Sequence, residues 1–212
     1  MSTALTDIVN PVMTIVNAST TYGTLDDAKK FPQGFLDAMA LDSDAETCRL
    51  LCGTPGHPLQ KGFITSSSAL GDDSVIAISG GGEIFHVINV KIDGVDARRK
   101  PVSYFKRLTS DSLSRTTIGK YYDIEDNNVI RHNGTSAVLK VVRFLMSGAP
   151  QAPDSLRNAS IACMLSMVSS KMGTDVEVAS YFAQQWAMRA QMIRGGEIVV
   201  PPVIAYQKGQ NE

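Results

Sequence analysis

The stretch Glu83-Ile84-Phe85-His86-Val87-Ile88-Asn89-Val90-Lys91-Ile92-Asp93-Gly94 decides how this chain is read. It is rich in β-branched and aromatic residues, which favour a pleated backbone, and it closes on Asp-Gly, a pair suited to a tight hairpin turn. It predicts a strand and a hairpin. Upstream, Val75-Ile76-Ala77-Ile78 is a short apolar run before Gly80-Gly81-Gly82 and predicts another strand. Downstream, Tyr121-Tyr122-Asp123-Ile124 and Val129-Ile130-Arg131-His132 flank the turn-rich Glu125-Asp126-Asn127-Asn128, a second hairpin. Ala137 to Met146 reads as a third strand, ended by Ser147-Gly148-Ala149-Pro150. Between the hairpins, Pro101 to Leu108 reads as one or two helical turns.

On both sides the apolar spacing changes to that of helices. Leu5, Ile8, Val9, Val12, Ile15 and Val16 lie on one face of a helix over Ala4–Asn17. Pro11 predicts either a kink there or a helix that starts near Asn10. A second helix is expected from Gln33 to Leu51, with Asp42-Ser43-Asp44-Ala45-Glu46 as a place where it could split, because Asp and Ser favour caps over interiors. Gly53 to Asp73 reads as a long irregular loop. Pro153-Asp154 starts a helix that Gly173 stops, and Thr174-Asp175-Val176-Glu177 matches a capping box for the next. Two helices joined so tightly form an antiparallel hairpin. The chain is therefore α+β: N-terminal helices and a C-terminal antiparallel helix pair as a helical core, with an inserted β-hairpin-rich region. The expected organisation is one domain over 1–193, its β-rich insertion over about 75–146, and an extended arm over 194–212.

The 212 residues suffice for one domain with a real core, and the formal net charge of −1 does not favour a grip on nucleic acid. No apolar run approaches the roughly 20 residues that cross a bilayer, and the N-terminus lacks a signal-peptide pattern. The three cysteines, Cys48, Cys52 and Cys163, read as reduced thiols of a chain made in a cytoplasm. The sequons at Asn17, Asn133 and Asn158 are then chance matches.

Motifs for chemistry are weak. Cys48 and Cys52 stand four apart with His57 nearby, but a zinc site needs further ligands, so buried thiols are the simpler reading and neither metal nor cofactor is expected. His57, His86 and His132 lie too far apart in sequence to define a Cys–His pair. Gly80-Gly81-Gly82-Glu83 lacks the Lys-Ser/Thr of a phosphate loop and precedes a strand, so it reads as a turn or bulge. Arg98-Arg99-Lys100 reads as a solvated connection, or as a contact to phosphate or an acidic neighbour. The Met and aromatic stripes of the last two helices, including Met188, read as core.

The last nineteen residues carry the functional expectation. Gly195-Gly196 stops the last helix, and Pro201-Pro202 favours extended backbone. Ile198, Val199, Val200, Pro201, Pro202, Val203, Ile204 and Tyr206 form an extended apolar run that cannot bury both of its faces by itself. Either it folds back as an edge strand, or another subunit receives it. Because the helix stop is complete, deletion of 195–212 is expected to leave a folded chain that fails to join its partner.

The order of segments Ile88–Gly94, Pro101–Phe105, Lys120–Ile124, Val129-Ile130, Val138 to Phe144, Ala152-Pro153-Asp154-Ser155-Leu156-Arg157-Asn158-Ala159 and Tyr181-Phe182-Ala183-Gln184-Gln185-Trp186 resembles the head-to-tail adaptor proteins of short-tailed bacteriophages. The likeness is one of layout over roughly residues 75–193: a β-rich insertion, a short Pro-led linker and two closing helices. It implies a non-enzymatic virion protein in the neck between head and tail, assembled in the host cytoplasm. It further implies a homo-oligomeric ring, commonly of about twelve copies, around the DNA channel. The partners it implies are the portal protein, gripped by the C-terminal arm, and a tail nozzle or tail-tube protein below. A near-neutral charge suits a channel that passes DNA without holding it. The alternatives are another neck or tail-tube component, a non-viral homo-oligomeric scaffold, a Cys/His hydrolase, and a DNA-binding module.

Overall fold

The computed structural model describes residues 4–20, 31–70, 75–77, 82–101, 103, 119–125, 129–132, 134–171 and 176–207. The chain is an α+β protein that divides into two compact units, one of residues 1–59 with 146–212, the other of residues 60–145.

The first unit is helical: α1 (Thr6–Thr20), α2 (Gln33–Gly53), α3 (Arg157–Lys171) and α4 (Val176–Arg194). α1 begins at Thr6 and runs through Pro11, so the reading that starts it near Asn10 is corrected. Asp7 stabilises that start: its carboxylate accepts the Ala4 amide at 3.2 Å, and a negative charge in the first turn complements the helix dipole. Ile8, Val9, Val12 and Val16 on α1 pack with Leu36, Met39 and Ala40 on α2, Ile161, Met164, Leu165 and Val168 on α3, and Val178 and Phe182 on α4. Each of these side chains other than that of Ala40 contributes about 1.5–3 kcal/mol by leaving water.

α2 is not split at Asp42–Glu46; it is continuous, and Ser43, Asp44 and Thr47 are buried inside it. The reason is local satisfaction of their polar atoms. Ser43 Oγ donates to the Ala40 carbonyl and Thr47 Oγ1 to that of Ser43, while Ser160 Oγ on α3 donates to Thr47 Oγ1 at 3.1 Å. The Asp44 carboxylate accepts the backbone amides of Gln151 at 2.6 Å and Ala152 at 3.2 Å. A residue suited to capping therefore does cap, but it holds a distant loop rather than its own helix. α3 follows a 3-10 turn, Asp154–Leu156. The capping box expected at Thr174–Glu177 lies partly outside the described residues, as does the stop at Gly173.

The second unit carries the strands β1 (Ile64–Leu70), β2 (Val75–Ala77), β3 (Glu83–Ile92), β4 (Val95–Asp96), β5 (Arg98–Arg99), β6 (Tyr121–Glu125), β7 (Val129–His132) and β8 (Ser136–Phe144). They form two four-stranded sheets, ordered β1-β8-β3-β4 and β2-β7-β6-β5. All pairings are antiparallel except β5 with β6. The predicted hairpins stand: Asp93 and Gly94 both take positive φ (50° and 80°) between β3 and β4, and β6 pairs with β7. The long loop read over 53–73 is corrected. Pro58–Phe63 is a 3-10 helix, and Ile64–Leu70 is an edge strand along β8, in spite of its three serines. Val90 and Ile92 of β3 with Ala137, Leu139 and Val141 of β8 form the inner face, onto which Tyr122 and Ala97 pack. Register shifts between Ile84 and His86 and between Val87 and Asn89 break the alternation of β3. The helical turns read over 101–108 lie almost wholly outside the described residues.

Candidate interaction site

α4 ends as its glycines require. The Gly196 amide donates to Ile193 O and the Glu197 amide to Met192 O, with Gly196 at φ 87°. This is the left-handed helix stop that glycine makes without steric cost. The chain then turns back along its own unit. It does not take the edge-strand course: residues 197–207 form no strand, and one side of the arm is covered by the helices that precede it.

Five carbonyls of the arm, those of Glu197, Val200, Pro201, Pro202 and Ile204, are taken by side-chain donors. Asn158 Nδ2 donates to Val200 O at 3.1 Å. Arg189 Nε donates to Pro201 O at 3.0 Å, and the same guanidinium donates to Pro202 O. Tyr181 Oη donates to Ile204 O at 3.2 Å. The arm's own Val200 amide reaches Ser155 O, and Tyr206 Oη donates to Glu177 Oε2 at 3.2 Å. His57 holds the start of the arm. Its Nδ1 accepts the Leu59 amide, so Nε2 carries the hydrogen and donates to Glu197 O at 3.1 Å. Val200 is 1% exposed and Tyr206 7%, and Tyr206 and Val203 join the helical core.

The predicted partner-binding residues thus divide. Within the chain Val200 and Tyr206 are buried and Val203 is half-buried. Pro201 and Pro202 are exposed at the surface. Ile198, Val199 and Ile204 remain 49%, 61% and 67% exposed, an apolar strip on an anchored backbone.

The residues that build the receiving surface escaped sequence reasoning. Arg189 lies on the buried face of α4, seven residues after Phe182 and four before Ile193, and is 1% exposed. A cation on an apolar stripe is the signal that could have marked it. Burial lowers its pKa, with Tyr181 opposing. Beyond the arm, its Nη1 donates to Gln185 O and Gln185 Oε1, both at 2.8 Å. Asn158, part of a chance sequon, is one of the arm's clamps. Met188, read as core, is instead exposed.

The other candidate residues do not converge. Cys48, Cys52 and Cys163 are buried thiols outside any disulfide. Burial pushes Cys163 up to about 12, and pushes Cys48 higher still with Asp44 beside it. That is opposite to what a nucleophilic thiolate requires. Among the described residues no group of three or more His, Cys, Asp or Glu side chains is placed to hold a metal ion. Arg98 and Arg99 are a short strand rather than a bare connection. Arg99 Nε pairs with Asp123 at 3.0 Å and lines a cavity of about 630 Å³ in the strand unit with Phe85, His86 and Tyr122. Gly82 has φ 81° and sits against the Phe144 carbonyl, as a turn or bulge requires; Gly80 and Gly81 lie outside the described residues. Among the described residues no helix is long and apolar enough to cross a membrane.

No protein-family model matches this chain, and none of the curated proteins matches it.

Proposed function

We propose that the chain is a virion structural protein that joins head to tail, acting by assembly rather than by catalysis. The observation that carries this reading is the strip of Ile198, Val199 and Ile204 on an arm pinned by Arg189, Asn158 and Tyr181. An extended backbone held in place loses little entropy when a partner covers it, so apolar residues on it are a prepared docking edge. The layout resembling head-to-tail adaptors supplies the partner: the portal protein, with a tail nozzle or tail-tube protein on the opposite side. Copies arranged as a ring would extend the DNA channel, and a net charge of −1 suits passage without retention. The hydrolase alternative draws less support, because the Cys48 and Cys163 thiols are buried with raised pKa and His57 spends both ring nitrogens on backbone groups.

Electron microscopy of phage particles containing the chain tests the proposal. A ring of copies between portal and tail, with the 198–204 edge against the portal, is the expected image. Density elsewhere in the particle would favour another neck or tail-tube component, and a chain absent from particles would overturn the proposal.

A further inference from the structure

We propose that the cavity of about 630 Å³ in the strand unit is a binding site for a small monocarboxylate with an apolar body, such as an aromatic acid. The site lies wholly within residues 60–145 and does not depend on the arm.

One short run joins the two sheets beside the cavity. Val95 and Asp96 pair with β3 only at Ile92 and Lys91, and after Ala97 the run pairs with β6 instead, through Arg98 and Arg99. Residues 83–87 of β3 therefore have no strand on that side among the described residues. Four consecutive residues there, Ile84 to Val87, line the cavity. A regular strand would send alternate side chains to opposite faces; the register shift between Ile84 and His86 breaks that alternation.

The polar side chains that line the cavity offer donors. Asp123 Oδ1 accepts from Arg99 Nε at 3.0 Å and so steadies the guanidinium, whose two Nη groups take no partner among the described residues. The Tyr122 hydroxyl takes none there either. His86 Nε2 is buried without a hydrogen-bond partner, an arrangement that costs stability until an acceptor arrives, and a neutral imidazole can carry its hydrogen on that nitrogen. Three donors call for an acceptor with negative charge. A planar carboxylate fits the Nη edge of a guanidinium with two parallel hydrogen bonds. A dianion such as phosphate fits less well, because Asp123 already offsets the charge of Arg99. Ile84, Val87, Ile124 and the Phe85 ring supply apolar wall for the body of the acid, and the volume is that of a small-ligand pocket, about 300–1,000 Å³.

Titration of the full-length chain with benzoate and with indole-3-acetate, followed by amide and methyl NMR shifts, tests the proposal. Benzamide and indole-3-acetamide are the neutral controls of like shape. Saturable shifts are expected at Ile84, Val87 and Ile124, with at least one acid binding about tenfold tighter than its amide, the strength of a charge-assisted pair. Arg99→Met should erase that preference, and Tyr122→Phe, which keeps the ring, should weaken binding about threefold. The acid–amide comparison on the wild-type chain decides the matter whatever the variants do to folding. Equal binding of acid and amide, shifts that do not saturate by about 10 mM, or inorganic phosphate binding as tightly as the acids would overturn the proposal. An acetylated peptide with a free C-terminal phenylalanine that outbinds both acids would overturn the small-molecule assignment in favour of a chain end.

Discussion

At the scale of single residues, three buried polar side chains do work that their neighbours in sequence do not disclose. Arg189 fastens the arm with hydrogen bonds to Pro201 and Pro202. Arg189→Met is expected to destabilise the protein by about 2 kcal/mol, the loss of charge-assisted bonds. Faster limited proteolysis within 197–207, alongside a lower denaturation midpoint, checks it. Arg189→Lys should recover little, because a lysine cannot span two carbonyls as the planar fork does. Asp44 accepts two amides of the 151–152 loop from within α2, and burial raises its pKa even so. Asp44→Ala should cost about 2–3 kcal/mol in urea unfolding, since both amides lose their acceptor. His132 is buried, and burial lowers its pKa although Asp93 opposes the shift. Its sign is definite. Above about pH 6.5 the ring is neutral in both folded and unfolded chains; below it the unfolded chain takes up the proton first, so stability is lost as pH falls. The wild-type chain should therefore lose unfolding free energy, measured with urea, between pH 7 and 5 more steeply than His132→Phe, by at most about 1.4 kcal/mol per pH unit. Equal slopes would remove His132 from the account.

At the scale of elements, legibility followed the range of the forces. The β3 strand and its Asp93-Gly94 turn, the β6–β7 pair and the two closing helices were readable because each is specified by its own periodicity and turn residues. β1 was not readable: its serines have weak strand preference, and it exists because β8 lies beside it in register from Ile64–Val142 to Leu70–Ser136. The same holds for Gly134, which reads only as the middle of a sequon. Asp93 Oδ1 accepts the Thr135 amide and hydroxyl and the Ser136 amide, and its other oxygen pairs with Lys120 at 2.7 Å. These partners hold the Asp93 carboxyl well below the usual carboxylate range, Lys120 foremost. A side chain at Gly134 would collide with the Ile92 Cγ2 methyl and lie 2.5 Å from Asp93 Oδ2. Gly134→Ala should destabilise the protein by about 1–3 kcal/mol, whereas Gly148→Ala, with open space around it, should be nearly silent. Denaturant midpoints of the two variants decide this.

At the scale of the whole molecule, the α+β class and the exit of an apolar arm after α4 were legible, but the fate of the arm was not. The run from Glu197 to Tyr206 shows that something must cover it, whereas the covering donors Asn158, Tyr181 and Arg189 are spread over two helices and stand out only in three dimensions. The consequence reverses one expectation. Deleting 195–212 removes Val200, Val203 and Tyr206 from their packing as well as the docking edge, so the truncated chain should be less stable, not merely unable to join a partner. Surface substitution separates the two effects. Ile198→Asp, Val199→Asp and Ile204→Asp together alter only exposed positions and leave every arm hydrogen bond available. Sedimentation velocity of this triple variant beside the wild-type chain, each mixed with the portal protein, is the direct measurement. A wild-type chain that sediments with the portal protein is expected, and a variant that melts at nearly the same temperature yet sediments apart from it; equal co-sedimentation of the two, or a wild-type chain that does not join the portal protein, would contradict the proposal.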